Sequence, residues 1–211
     1  MSIVPRGLAT SVRGTLAPVV RGLHGLGVTA NAVTVIGFLL TVVGAALLAT
    51  SQPALALAVL LLGTLSDAVD GQLARAAGGG TRFGGFLDST LDRLSDAALA
   101  IAAVQLGAAM SDPRSNFASS GSAVALFWGG LLLLVASFLV SYIRAKAESL
   151  GEGASVGVAP REARIAIYLI GVAAWAVTGN IQLFAVAVVV AAFLATLTVI
   201  QRVAHMARAL K

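Results

Sequence analysis

The sequence contains no cysteine, which excludes disulfides, iron–sulfur clusters and thiolate-bound zinc, and leaves the redox compartment unspecified. Charge is scarce too. Asp, Glu, Lys and Arg make up 11% of the 211 residues, against about a quarter in soluble domains. Aromatic residues are only 6%, so there is little to stack nucleic-acid bases, and no nucleic-acid partner is expected. The net charge of +5 is read instead as an affinity for anionic membrane lipid and phosphorylated substrates. What the chain has in abundance is apolar. Hydrophobic residues reach 58% and the mean hydropathy is +0.95, values that make the bilayer its solvent.

Met1–Gly27 spreads its arginines along its length and has no continuous apolar core, so it does not read as a secretory signal. Over Pro5–Leu26, Arg6, Arg13 and Arg21 fall near one helical face and predict an interfacial amphipathic helix, interrupted near Pro18. Six apolar stretches follow, at about Ala32–Thr50, Ala54 onward to Arg75, Phe83–Met110, Ser122–Tyr142, Ile165–Thr178 and Ile181–Ile200. Turn and loop signals separate them: Gln52-Pro53, Gly78-Gly79-Gly80, Ser111–Gly121, Gly151–Arg164 and Gly179-Asn180. The expected fold is all-α, a polytopic membrane protein with six transmembrane helices behind an N-terminal interfacial helix. It is read as one domain over 1–211, with the interfacial helix at 1–27, the bundle at 28–204 and a basic tail at 205–211.

Six spans return both termini to one side. Arg6, Arg13, Arg21, Arg75, Arg82, Arg144, Lys146, Arg161, Arg164, Arg202, Arg208 and Lys211 all fall at that set of ends, while the opposite loops carry only Arg114. The positive-inside rule then predicts cytoplasmic termini, in the cell membrane.

The polar residues that interrupt the apolar spans carry the chemistry. Asp67 and Asp70 stand three apart, and Asp88 and Asp92 four apart, so each pair projects from one helical face. Ionisable groups in segments this apolar are costly and mark a functional site with a cationic partner. Four carboxylates are hard oxygen ligands, suited to magnesium, manganese or calcium. Gly71, Ala74, Gly84 and Gly85 are small enough to let two helices or a ligand come close. A second region, Ser141 to Arg164, places Arg144, Arg161 and Arg164 at span ends, with Arg202 at a later one. Such a guanidinium cluster suits bidentate phosphate recognition and implies an acceptor that itself carries phosphate. The positive-inside bias alone would also place basic residues there.

Written out, the acidic pattern is Asp67-x-x-Asp70-Gly71-x-x-Ala74-Arg75, eight residues, then Gly84-x-x-x-Asp88-x-x-x-Asp92. It resembles the signature of the CDP-alcohol phosphotransferase family at all eight defining positions. The resemblance implies a metal-dependent enzyme that transfers a phosphoalcohol from a CDP-linked lipid to an acceptor hydroxyl and releases CMP. It implies two magnesium ions, with manganese an alternative: Asp67 and Asp88 bridging both, Asp70 on the first, Asp92 on the second. Asp92 would also be the general base. Gly71, Ala74, Arg75, Thr81 and Gly84 would receive the cytidine diphosphate of the lipid. Asn31-Ala32-Val33-Thr34 resembles a family segment that closes over the nucleotide, with Ala30 where a proline is usual; helix capping is the other reading of Asn31 and Thr34.

The whole arrangement is most similar to the phosphatidylinositol phosphate synthase branch of the family. That implies CDP-diacylglycerol as donor and inositol 1-phosphate as acceptor, with Ser141, Arg144, Arg161, Arg164 and Arg202 on the acceptor's phosphate, in a homodimer. Two rivals stay open. One is the phosphatidylglycerophosphate synthase branch, whose acceptor, glycerol 3-phosphate, is also a phosphomonoester; the other, from a different class, is a divalent-cation transporter. Arg93 and Asp96 lie outside the signature and read as a local i, i+3 pair.

Overall fold

The computed structural model describes residues 17–111 and 121–211, and among these there is no strand. Helical residues 17–25 (α1) lead into α2 (Ala30–Ala49), α3 (Pro53–Ala76), α4 (Arg82–Met110), α5 (Gly121–Ser149), α6 (Arg161–Thr178) and α7 (Ile181–Ala209). Arg6 and Arg13 of the predicted interfacial helix, and Arg114 with most of its loop, lie outside the described residues.

Local chemistry sets the helix ends. Thr29 caps α2 by accepting the amide of Ala32 at 3.2 Å, and Thr81 caps α4 by accepting that of Gly84 at 2.9 Å. Pro53 occupies the first turn of α3, where a missing amide hydrogen costs nothing. Gly179 closes α6 in the left-handed region at φ 71°.

The helices pack as a closed ring in the order α2, α3, α6, α7, α5, α4 and back to α2. Small residues allow the tight crossings: a Cβ on Gly37 would stand 2.9 Å from Cβ of Ser66, and one on Gly107 would stand 2.7 Å from the carbonyl of Ala123. The interior holds Leu48, Leu60, Leu106, Leu126, Tyr168, Val172, Phe184 and Val188. Tyr168 satisfies its buried hydroxyl by donating to the carbonyl of Leu99 at 2.7 Å. Outside, Leu39, Leu62, Trp128, Val135, Ile170 and Phe193 are exposed, an apolar surface suited to lipid or to a second apolar surface.

Among the described residues five helices, α2, α3, α4, α5 and α7, are long and apolar enough to cross a membrane. The expected sixth, α6, has 18 residues and bears Arg161, Glu162 and Arg164 in its first turn, so it falls outside that group. The described part of α1 is two-sided. Val20 is buried with Val33, Val69 and Leu73, while Arg21 is exposed.

Reversal of direction from each helix to the next along the chain brings the starts of α2, α4 and α6 to the same end as the finishes of α3, α5 and α7. The polar side chains gather there.

Candidate functional site

A cavity of about 720 Å³ opens at this end between α2, α3 and α4. All four motif aspartates, Asp67, Asp70, Asp88 and Asp92, line it. The three- and four-residue spacings therefore do what helical geometry requires, turning each pair to one face, and the ring turns both faces to one space. Asp70 is held from outside the motif: Thr34 Oγ1 donates to its Oδ2 at 2.7 Å. Asn31, Thr34, Gly71, Ala74, Thr81 and Gly84 line the same cavity. A Cβ on Gly84 would stand 2.9 Å from Asn31 Oδ1 and 3.0 Å from Thr81 Oγ1, so glycine is what lets α2 and the start of α4 meet. Thr29, not Asn31, is the α2 cap, and Thr34 spends its hydroxyl on Asp70 as well as its own helix.

Three expected nucleotide residues lie elsewhere. Val33 is buried against Val20, Val69 and Leu73, and neither it nor Ala32 borders the cavity. Arg75 is exposed and turns back along α3, where a Cβ on Gly71 would lie 3.7 Å from its Nη1. Gly79 and Gly80 of the α3–α4 connection complete the rim with backbone alone.

The charge opposing the carboxylates comes from α6. Arg161 Nη1 lies 2.8 Å from Asp92 Oδ1 and 3.3 Å from Asp67 Oδ2. Among the described residues no three acidic or histidine side chains close on one point as they stand. The donor set nevertheless fits a divalent cation. It is all carboxylate, it comes from two facing helices, and it shares one cavity.

A second cavity, of about 650 Å³, lies against the first. Ser141, Arg144, Arg161, Arg164 and Arg202, the five residues expected at an acceptor phosphate, all line it, together with Arg93. They are not equally available. Arg144 pairs with Glu148 at 2.9 Å along its own helix. Arg202 donates through Nε to the carbonyl of Val156 at 3.0 Å and through Nη1 to that of Val140, tying the α5–α6 connection to the bundle. Asp92 and Arg161 are the two side chains that border both cavities.

The local pairing expected for Arg93 and Asp96 does not form. Arg93 lies 3.6 Å from Asp92 and donates to Ser141 on α5. Asp96 instead receives Arg161 Nε at 3.1 Å and Arg164 Nη2 at 3.4 Å. The reason is topological. Asp88, Asp92 and Asp96 repeat every four residues along one face of α4, and that face meets the start of α6. The four-residue repeat was the signal for Asp96; nothing nearby in the chain announces Arg161 and Arg164 as its partners.

The model of the CDP-alcohol phosphatidyltransferase family matches residues 27–200. The archaetidylinositol phosphate synthase of Pyrococcus horikoshii is 36% identical over 193 residues, covering 91% of this chain and 90% of its own. The phosphatidylinositol phosphate synthase of Mycobacterium tuberculosis is 37% identical over 155 residues, 73% of this chain and 67% of its own. Among solved structures, that mycobacterial enzyme in complex with manganese and citrate superposes with a TM-score of 0.77 at 31% identity, covering 88% of this chain and 86% of the other. Its form with CDP-DAG bound gives 0.75, covering 88% and 90%.

Proposed function

Because this chain belongs to the CDP-alcohol phosphatidyltransferase family, we propose that it moves the phosphatidyl group of CDP-diacylglycerol onto inositol 1-phosphate, yielding phosphatidylinositol phosphate and CMP. One observation carries this reading: an acidic cavity and a basic cavity share a wall made of Asp92 and Arg161. A displacement at phosphorus needs donor and acceptor held within reach of one atom, and a shared wall provides that. The names of the relatives, and the CDP-DAG and manganese in the mycobacterial structures, support the same assignment.

The donor's cytidine diphosphate would enter the first cavity, against Asn31, Gly71, Ala74, Thr81 and Gly84, and Arg75, exposed on α3 outside the cavity, would swing towards the diphosphate on binding. Asp67, Asp70, Asp88 and Asp92 would hold two divalent ions, magnesium or manganese. Such ions, when bound, offset the diphosphate charge and stabilise the transferring phosphoryl group. In the second cavity Ser141, Arg144, Arg161 and Arg164 would receive the acceptor's phosphate, with Arg202 steadying the connection behind them. The acceptor hydroxyl then faces Asp92. Asp92 takes its proton as the oxygen attacks the phosphatidyl phosphorus, and the bond from that phosphorus to CMP breaks.

The same reading sets the chain in the cell membrane as one domain, with both cavities and both termini cytoplasmic by the distribution of basic residues. It makes α6 a sixth span. Its 18 residues cover about 27 Å at 1.5 Å each, and arginines at its cytoplasmic end reach the interface.

The test is an acceptor comparison. Purified protein with CDP-diacylglycerol and magnesium or manganese is given inositol 1-phosphate, glycerol 3-phosphate or unphosphorylated inositol, and CMP and lipid product are measured. Product from inositol 1-phosphate is expected. Product from glycerol 3-phosphate alone would replace the acceptor, and no metal-dependent CMP release with any of them would overturn the reading.

A further inference from the structure

We infer that Asp96 is a positioning residue for the acceptor's phosphate, acting through Arg161 and Arg164; the inference rests on the proposed reading of the basic cavity. Asp96 lies outside the eight-position motif, one turn beyond Asp92 on α4. It borders neither cavity and is only 8% exposed, so it does not touch a substrate directly. Its two oxygens are divided between the two arginines. Oδ1 accepts from Arg161 Nε at 3.1 Å, and Oδ2 from Arg164 Nη2 at 3.4 Å. Arg164 is fixed a second time, through Nη1 to the carbonyl of Ala159 at 3.0 Å.

These arginines stand where cations are disfavoured. Both are in the first turn of α6, at the positive end of the helix dipole, and Arg164 is 5% exposed. They also repel each other. A buried carboxylate beneath them offsets both effects and fixes the plane of each guanidinium. A fork fixed by one edge presents its remaining donors in a set direction, which is what bidentate recognition of a phosphate needs. Without Asp96 the long side chains regain rotamer freedom, and the arriving phosphate would have to order them. Asp96 therefore lowers the acceptor concentration at which the site fills, without entering the chemistry.

The experiment compares Asp96→Asn, which keeps the shape and removes the charge, with wild type. The KM for inositol 1-phosphate should rise about tenfold, the lower end of what loss of a supporting partner does to ligand affinity in metal sites. The inhibition constant of inorganic phosphate should rise with it. The kcat at saturating acceptor and the KM for CDP-diacylglycerol should stay within about twofold of wild type. A fall in melting temperature with unchanged acceptor constants would mean a structural role only and overturn the inference. Asp96→Glu retains the charge while displacing the arginines by one methylene, and should raise the same KM by a smaller factor. If Asp96→Asn does not fold, an unshifted acceptor KM in Asp96→Glu overturns the inference. Failure of wild type itself to use any phosphorylated acceptor would remove the functional reading beneath it. Wild-type turnover with unshifted KM in both variants removes Asp96 alone.

Discussion

Thr34 on α2 donates its hydroxyl to Asp70 on α3 at 2.7 Å, across 36 positions of chain. Both residues are buried, so the contact joins a helix end to the acidic wall in a place water reaches poorly. Thr34→Val removes the donor at nearly constant volume. A buried acceptor left unpaired costs about 1–3 kcal/mol, and Asp70 loses its fixed orientation. The manganese concentration for half-maximal CMP release should rise about tenfold in this variant and stay near wild type in Thr34→Ser. Equal metal dependence in all three proteins would show that the hydroxyl does not orient the ligand.

Asp92→Asn should abolish turnover while CDP-diacylglycerol binding is largely kept. The amide preserves shape but cannot take the acceptor's proton. Product formation is the readout, with lipid binding by calorimetry as control. Turnover at the wild-type rate would transfer the base to another group.

Gly84→Ala places a methyl 2.9 Å from Asn31 Oδ1 and 3.0 Å from Thr81 Oγ1. Asn31 must yield, and the rim of the first cavity changes shape. The KM for CDP-diacylglycerol should rise several-fold with the acceptor KM unchanged. A shift confined to the acceptor constant would detach this rim from the nucleotide.

Arg202→Met keeps much of the buried volume and deletes the hydrogen bonds to the carbonyls of Val140 and Val156. A bond from a charged donor is worth about 1.5–3 kcal/mol, and a chain of this size loses about 2–4 °C per kcal/mol. With two such bonds lost, about 3–6 kcal/mol, the melting temperature in detergent should therefore fall by roughly 6–24 °C. An unchanged melting temperature with a raised acceptor KM would make Arg202 a phosphate ligand first.

How much of this could be read beforehand follows from what the signals measure. Helix positions follow hydropathy and the turn residues, so α2 to α7 begin within four residues of the expected stretches, whereas α5 and α7 run on past Tyr142 and Ile200 to Ser149 and Ala209. The four aspartates were legible because fixed spacings on a helix specify a face. Partners across the ring were not. The i, i+3 rule sees one helix, so it paired Asp96 with Arg93, whereas Arg161 stands 65 positions away and arrives only when α6 packs on α3. Arg202 shows the same limit. It lines the basic cavity as its place at a span end suggests, and it also donates to the carbonyls of Val140 and Val156, contacts that local spacing does not reveal.

The half of the bundle away from the cavities is packed solid by Leu48, Leu106, Leu126, Trp175 and Phe184. The molecule is thus a cup and not a tube. Both described cavities open at the other end, so on the proposed reading everything that is loaded or discharged crosses one brim. Under the proposed transfer, spent CMP leaves where the next nucleotide arrives, and a single leaflet both supplies the starting lipid and takes back the finished one.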